Sequence, residues 1–269
     1  MGKPAMLTLA NSRVAVFGVG GVGGYAVEVL ARSGVGAIDL IDSDYVCTTN
    51  INRQLIALLS NVGRYKVDVA EERIHDINPQ CKVTKYRQFY LPENADSIDL
   101  GAFDYVVDCI DTVAAKLELI RRCHQLDVPI ISCMGAANKL DATAFRVADL
   151  QKTQMDPLAK IIRKKLRKEG ILHVKVVYSE EEPLVPFDDA DVSCSYANIC
   201  PKADTCGQEG RHSVPASNAF VPAAAGLIVG GEVVKDLLLR AGTMRSTPNP
   251  VPTDVSTVTV LNHPEITTS

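Results

Sequence analysis

The sequence contains no tryptophan, and aromatic residues of any kind make up only 5% of it. It therefore lacks the bulky anchors with which amphipathic helices settle on membranes, and membrane association is not expected. No charge-free run of about 18 apolar residues occurs, which excludes a spanning helix. The opening MGKPAMLTLANSR is too short and too weakly apolar for a secretory core, so a cytoplasmic location is expected. Eight cysteines in 269 residues fall far below the density of a disulfide scaffold, and most should be buried thiols. Neither sign of charge dominates, since 28 Lys and Arg stand against 32 Asp and Glu for a net charge of -4. Such a chain has no global attraction for polyanions, so any nucleic-acid surface must come from cations gathered locally.

What is present is an alternation of short apolar runs with helical patterns, the order that builds a parallel sheet covered by helices. The expected fold class is α/β, a Rossmann-like, doubly wound, mainly parallel sheet with helices on both faces and a mixed C-terminal extension. Strands are expected at Arg13–Phe17, Ala37–Ile41, Val83–Tyr90, Tyr105–Ile110 and Pro129–Cys133. Helices are expected after the first glycines, near Asn61–Asn78 and at Thr112–Leu126. This gives a nucleotide-binding part over residues 1–135 and a C-terminal part of the same domain over 136–269. In the second part an edge strand is expected at Ala144–Val147, a basic helix over 156–169 opened by Asp156-Pro157, and a Cys-, Pro- and Gly-rich loop over 188–215. A glycine-containing apolar helix at Pro222–Leu239 and a last strand at Thr257–Leu261 complete it.

Gly18-Val19-Gly20-Gly21-Val22-Gly23 follows a strand and opens a helix, the context in which G-x-G-x-x-G cradles a phosphate on backbone N–H groups and the helix dipole. Asp42 ends the next strand, where a carboxylate can accept from ribose hydroxyls, and Asp44 follows it. The alternative is a glycine turn that merely packs a helix. Asn50, Arg53, Gln54 and Lys66 then supply cations and amides of the kind a triphosphate needs, whereas a nicotinamide needs neutral contacts. Lys66 taken alone could equally be a solvated helix residue. Asp111 closes Asp108-Cys109-Ile110-Asp111 at the carboxyl edge of the sheet, where it could hold Mg²⁺ or cap the following helix.

At these residues the sequence resembles the E1-like adenylating family, of the ThiF and MoeB type, whose members transfer AMP from ATP to a carboxylate. GVGGVGG, LIDSDYV, NINRQ, Lys66 and VDCID fall in that family's order over about residues 12–135. The resemblance implies that Gly18, Gly20, Gly21 and Gly23 approach the nucleotide and that Asp42 binds ribose with Asp44 beside it. It also implies that Asn50, Arg53, Gln54 and Lys66 contact phosphates and that Asp111 binds Mg²⁺, with Arg53, Lys66 and Asp111 catalytic. NVGRYKVDVAEERIHDINP, the stretch from Asp149 to Ala159, the basic helix and VKVVYSEEEPLVP resemble the tRNA threonylcarbamoyladenosine dehydratases over about Lys3–Leu239. That likeness implies ATP-dependent cyclisation of threonylcarbamoyladenosine at tRNA position 37, a homodimer, and contact with a sulfur-transfer or cysteine desulfurase system.

The basic helix places six cations in the nine positions from Lys160 to Lys168, and Arg163, Lys164, Arg167 and Lys168 are the expected tRNA phosphate contacts. A solvated amphipathic face is the plainer alternative. Cys194, Cys200 and Cys206, with His212 nearby, are separated by five intervening residues each instead of forming C-x(2 to 4)-C pairs, so structural zinc is not expected. Family members commonly carry an arginine-containing segment before the position of Gly2, and this sequence departs from that pattern. Two other functions stay open. One is adenylation of a ubiquitin-like or sulfur-carrier protein. The other is nicotinamide-dependent oxidoreduction, disfavoured by Arg53 together with Asp111.

Overall fold

Val14 and Val16 of the first strand point into one apolar cluster while Ala15 and Phe17 point into another. A strand buried on both faces must lie inside a sheet covered on both sides, and its unbroken apolar character follows from that. The computed structural model describes residues 2–185 and 216–244. The expected strand at 257–261 and the whole Cys-rich stretch 188–215, with Cys194, Cys200, Cys206 and His212, lie outside the described residues.

In chain order the elements are α1 (Lys3–Ala10), β1 (Arg13–Phe17), α2 (Gly23–Arg32), β2 (Ala37–Ile41), α3 (Lys66–Ile77) and β3 (Lys82–Tyr86). There follow β4 (Tyr105–Asp108), α4 (Val113–Gln125), β5 (Ile130–Cys133), β6 (Phe145–Asp149), α5 (Pro157–Lys168), β7 (Lys175–Ser179) and α6 (Val221–Arg240). The strands form one sheet in the order β3-β2-β1-β4-β5-β7-β6, parallel except for the edge strand β6. This is the doubly wound arrangement expected. Helices α1, α2, α3 and α6 pack on the face that carries Val14 and Val16, and α4 packs on the other, with α5 beyond it.

The differences from expectation have local causes. The strand expected at Val83–Tyr90 ends at Tyr86, because Asn94 captures the chain at Leu91 N–H and Phe89 C=O in a separate turn. The helix expected near Asn61 begins only at Lys66, since Val46 donates its N–H to Arg64 O and accepts from Gly63 N–H, which keeps residues 62–64 out of the helix. Neither α1 nor β7 was anticipated. β7 is an interior strand whose Val176, Val177 and Tyr178 are all buried. In α6, Gly226 and Gly230 lie directly against α2, where an added β-carbon would meet Val22 O at 2.2 Å and Val29 Cβ at 2.6 Å. In α5, Ala159, Ile162 and Leu166 are buried, but Ile161, expected in the apolar stripe, faces outward at 45% exposure.

Candidate nucleotide site at the carboxyl edge of the sheet

The order in which successive strands are added to the sheet reverses between β1 and β4, which run parallel, and in open α/β sheets the crevice at such a switch point is where ligands bind. Gly18 leaves β1 there with φ +88°, and a β-carbon on it would stand 2.7 Å from Cys109 O. One on Gly23 would stand 1.7 Å from Gly18 O. Only glycine lets the turn fold this tightly against β4. Asp42 closes the turn from the side of β2, accepting from Val19 N–H at 2.7 Å and Asp44 N–H at 2.8 Å. Burial holds the Asp42 carboxyl above its usual range, against the opposing pull of Lys66.

The expected phosphate groups converge on this turn. Arg53 runs across Gly21, with Cγ 3.5 Å from where a β-carbon on that glycine would sit. Its guanidinium donates to Thr49 O and Asn52 Oδ1, each at 2.8 Å, and makes no ion pair among the described residues. Burial lowers its pKa. Gln54 is buried next to Gly20, and its Oε1 has no hydrogen-bond partner among the described residues. Asn50 is buried and accepts from Cys47 N–H at 3.1 Å, which shapes the turn that presents Arg53. Lys66, at the start of α3, reaches Asp44 Oδ2 at 2.6 Å. Burial would lower the Lys66 pKa, but Asp42 and Asp44 outweigh it and hold the ammonium above its ordinary value. It is thus no solvated surface lysine.

Asp111 stands two residues beyond Cys109 on the same edge and is exposed. The N-cap position of α4 is Thr112, whose side chain makes no capping hydrogen bond and instead donates to Asp111 Oδ1 at 3.3 Å. No group of three or more His, Cys, Asp or Glu among the described residues could hold a metal. The donor set nevertheless fits Mg²⁺ in its usual protein setting, one carboxylate with phosphate oxygens and waters completing the shell. A triphosphate fits the remaining groups: a glycine cradle with no room for side chains, a guanidinium without a carboxylate partner, and a buried amide with an unused oxygen.

The second acid expected at this edge, Asp108, is otherwise engaged. It is wholly buried, pairs with Lys116 Nζ at 2.8 Å and accepts from Ser132 Oγ at 2.6 Å, while Lys116 also donates to Cys133 O at 2.9 Å. Asp108 Oδ1 takes the N–H of Ile110, so the network fixes the Cys109–Asp111 turn. Sequence reasoning missed Lys116 and Ser132; the only available signal was a lysine on the inner face of an otherwise apolar helix. Lys139 was missed too. It is buried beyond β5, with Nζ 3.2 Å from Glu181 O and 3.9 Å from Asp156 Oδ2.

The expected RNA contacts lie apart from this edge on α5. Its Asp156 cap accepts from Ala159 N–H at 2.9 Å and sits beside Gly135, just past β5. Lys164, Arg167 and Lys168 are exposed, and Arg163 is half-buried.

Comparison with known proteins agrees with this geometry, for the ThiF family model matches residues 1–267. The chain belongs to the ThiF family. Within it, the chain is 50% identical over 241 residues to a tRNA threonylcarbamoyladenosine dehydratase of Bacillus subtilis (strain 168), covering 88% of this chain and 91% of that protein. It is 37% identical over 249 residues to the enzyme of the same name from Escherichia coli (strain K12), covering 89% and 91%. Crystal structures of E. coli TcdA, a tRNA N6-threonylcarbamoyladenosine dehydratase, superpose with TM-scores of 0.76 for the AMP complex and 0.74 for the ATP complex. Those two share 35% and 34% identity, and each covers 90% of this ThiF family chain, with 92% and 91% of the solved one. No helix among the described residues is long and apolar enough to cross a membrane.

Proposed function

We propose that this ThiF family protein is an ATP-dependent tRNA threonylcarbamoyladenosine dehydratase. What supports the reading is that Arg53 and Gln54 lie against Gly21 and Gly20 of the switch-point turn, with Lys66 joined to it through Asp44 and Asp42, in a chain half identical to a named dehydratase. A carboxylate is a poor acyl donor to a nitrogen until its oxygen is converted to a leaving group. The threonyl carboxylate oxygen attacks the α-phosphorus of ATP and displaces pyrophosphate. A nitrogen of the same modification then attacks the activated carbonyl and expels AMP, so that the nucleoside has lost one water. The second step is intramolecular and needs positioning more than a protein nucleophile.

In this reading Gly18 to Gly23 bring backbone N–H groups to the phosphates and Asp42 accepts from ribose hydroxyls. Arg53 and Lys66 neutralise the charge that grows as pyrophosphate leaves, and Gln54 and Asn50 orient the chain of oxygens. Asp111 holds Mg²⁺, which supplies charge neutralisation at the phosphates when bound. The buried Asp108, Lys116 and Ser132 keep the Asp111 turn in place. Assembly as a homodimer, a cytoplasmic setting and contact with a sulfur-transfer system belong to the same reading. Pyrophosphate exchange into ATP tests it: exchange should require Mg²⁺ and tRNA bearing threonylcarbamoyladenosine. Tight binding of NADH with no binding of ATP would overturn it.

A further inference from the structure

We infer that the face of α5 that meets tRNA is the row Lys160, Lys164 and Lys168, and that Arg163 and Arg167 hold the helix in place instead of contacting RNA. The inference rests on the tRNA reading above. Arg163 Nη1 donates to Thr153 O at 2.7 Å and to the Thr153 hydroxyl at 2.5 Å. Arg167 Nη2 donates to Gln151 Oε1 at 2.6 Å. Both guanidiniums reach back onto the loop between β6 and α5, that of Arg163 half-buried and that of Arg167 through one N–H while the side chain stays exposed. The three lysines are exposed and make no ion pair among the described residues.

A spacing of four residues places the lysines in one row, about 6 Å apart along the helix axis. Successive phosphates of a stacked strand advance about 3.4 Å each, so the row can meet roughly every second phosphate of a single strand. Flexible lysine stems absorb the mismatch and present point charges that read no base. Like charges four residues apart repel one another on an isolated helix, and an external polyanion relieves that repulsion. Ala159, Ile162 and Leu166 anchor the opposite face, which fixes the direction of the row. The Asp156 cap beside Gly135 puts the Lys160 end nearest the carboxyl edge of the sheet. A strand lying on the row can therefore lead toward the nucleotide site. An anionic lipid surface is the weaker fit, because Ile161 is the only large apolar side chain that α5 exposes.

The test compares the full chain carrying K160Q/K164Q/K168Q with one carrying R163Q/R167Q, binding tRNA across a potassium chloride titration. The lysine variant should lose about 2 units from the slope of log affinity against log salt, at about 0.7 per lost contact with a single strand, with its melting temperature unchanged. The arginine variant should keep the wild-type slope and melt at lower temperature, and both should bind ATP as the wild type does. A wild-type slope in the lysine variant, or a flattened one in a fully folded arginine variant, would overturn the inference. So would loss of binding to phosphatidylserine vesicles with tRNA binding intact. If the wild type dehydrates the tRNA nucleoside while the lysine variant keeps its slope, this inference fails alone. If the wild type never converts it, the functional reading fails and takes the inference with it.

Discussion

Arg53 and Gly21 touch: the Arg53 methylenes cross the glycine with Cγ and Cδ 3.5 and 3.7 Å from its absent β-carbon, and Pro222 Cβ closes the other side at 3.2 Å. The glycine turn and the guanidinium placed across it are thus one unit, and a side chain at position 21 must displace either α6 or the arginine. Gly21→Val should therefore weaken ATP binding through Arg53. Arg53→Lys should slow adenylation by roughly 10- to 100-fold, the worth of one charged hydrogen bond at about 1.5–3 kcal/mol. Because Arg53 makes no ion pair among the described residues, its variant should melt like the wild type, which calorimetry alongside pyrophosphate exchange would establish.

Asp111→Asn should leave folding intact and abolish adenylation. Thr112, not Asp111, stands at the N-terminus of α4, so the amide removes charge without removing a cap. A thermal melt paired with Mg²⁺-dependent pyrophosphate exchange separates the two effects, and wild-type exchange would show that the carboxylate is dispensable.

Lys116→Met should be far more damaging than any surface lysine change. It leaves the Asp108 carboxylate wholly buried without its cation, a loss of about 3–5 kcal/mol. Denaturant unfolding should show this as a lower midpoint at unchanged slope.

Glu28 ties α2 to α3 through two hydrogen bonds from Arg73, at 2.7 and 2.9 Å. Burial raises its pKa, but Arg73 and Arg32 prevail and hold it below the ordinary glutamate value. The folded state therefore binds this proton more weakly than the unfolded state. The stabilisation is present above the ordinary value of about 4.3 and is lost as pH falls through the depressed one. Glu28→Gln should cost roughly 0.5–1 kcal/mol at neutral pH, with the difference from wild type shrinking in acid. A stability difference that is flat with pH would contradict it.

The sequence made the nucleotide half legible because its signals are local. Glycines, Asp42 and the NINRQ run each state a conformation or a chemistry within a few residues, and the sheet then brings them to one edge. What it hid depends on partners distant in the chain. Asp108, Lys116 and Ser132 are 8 to 24 residues apart and meet only because β4, α4 and β5 are adjacent. Asp108 therefore looked like a second edge acid. Arg163 and Arg167 looked like their lysine neighbours because sequence cannot tell a guanidinium turned back onto a loop from one turned outward. β7 escaped because its apolar run merges into the acidic stretch after it, and only its place between β5 and β6 explains why it is buried.

The central claim is that the edge built around Gly21, Arg53 and Asp111 activates a carboxylate on tRNA. Its most direct test is to incubate the wild-type protein with ATP, Mg²⁺ and tRNA carrying threonylcarbamoyladenosine, then digest the tRNA and weigh its nucleosides. The expected result is a nucleoside lighter by one water, formed only with ATP and absent when the tRNA lacks the modification. An unchanged nucleoside, with ATP instead consumed in adenylating the C-terminus of a carrier protein, would contradict the account.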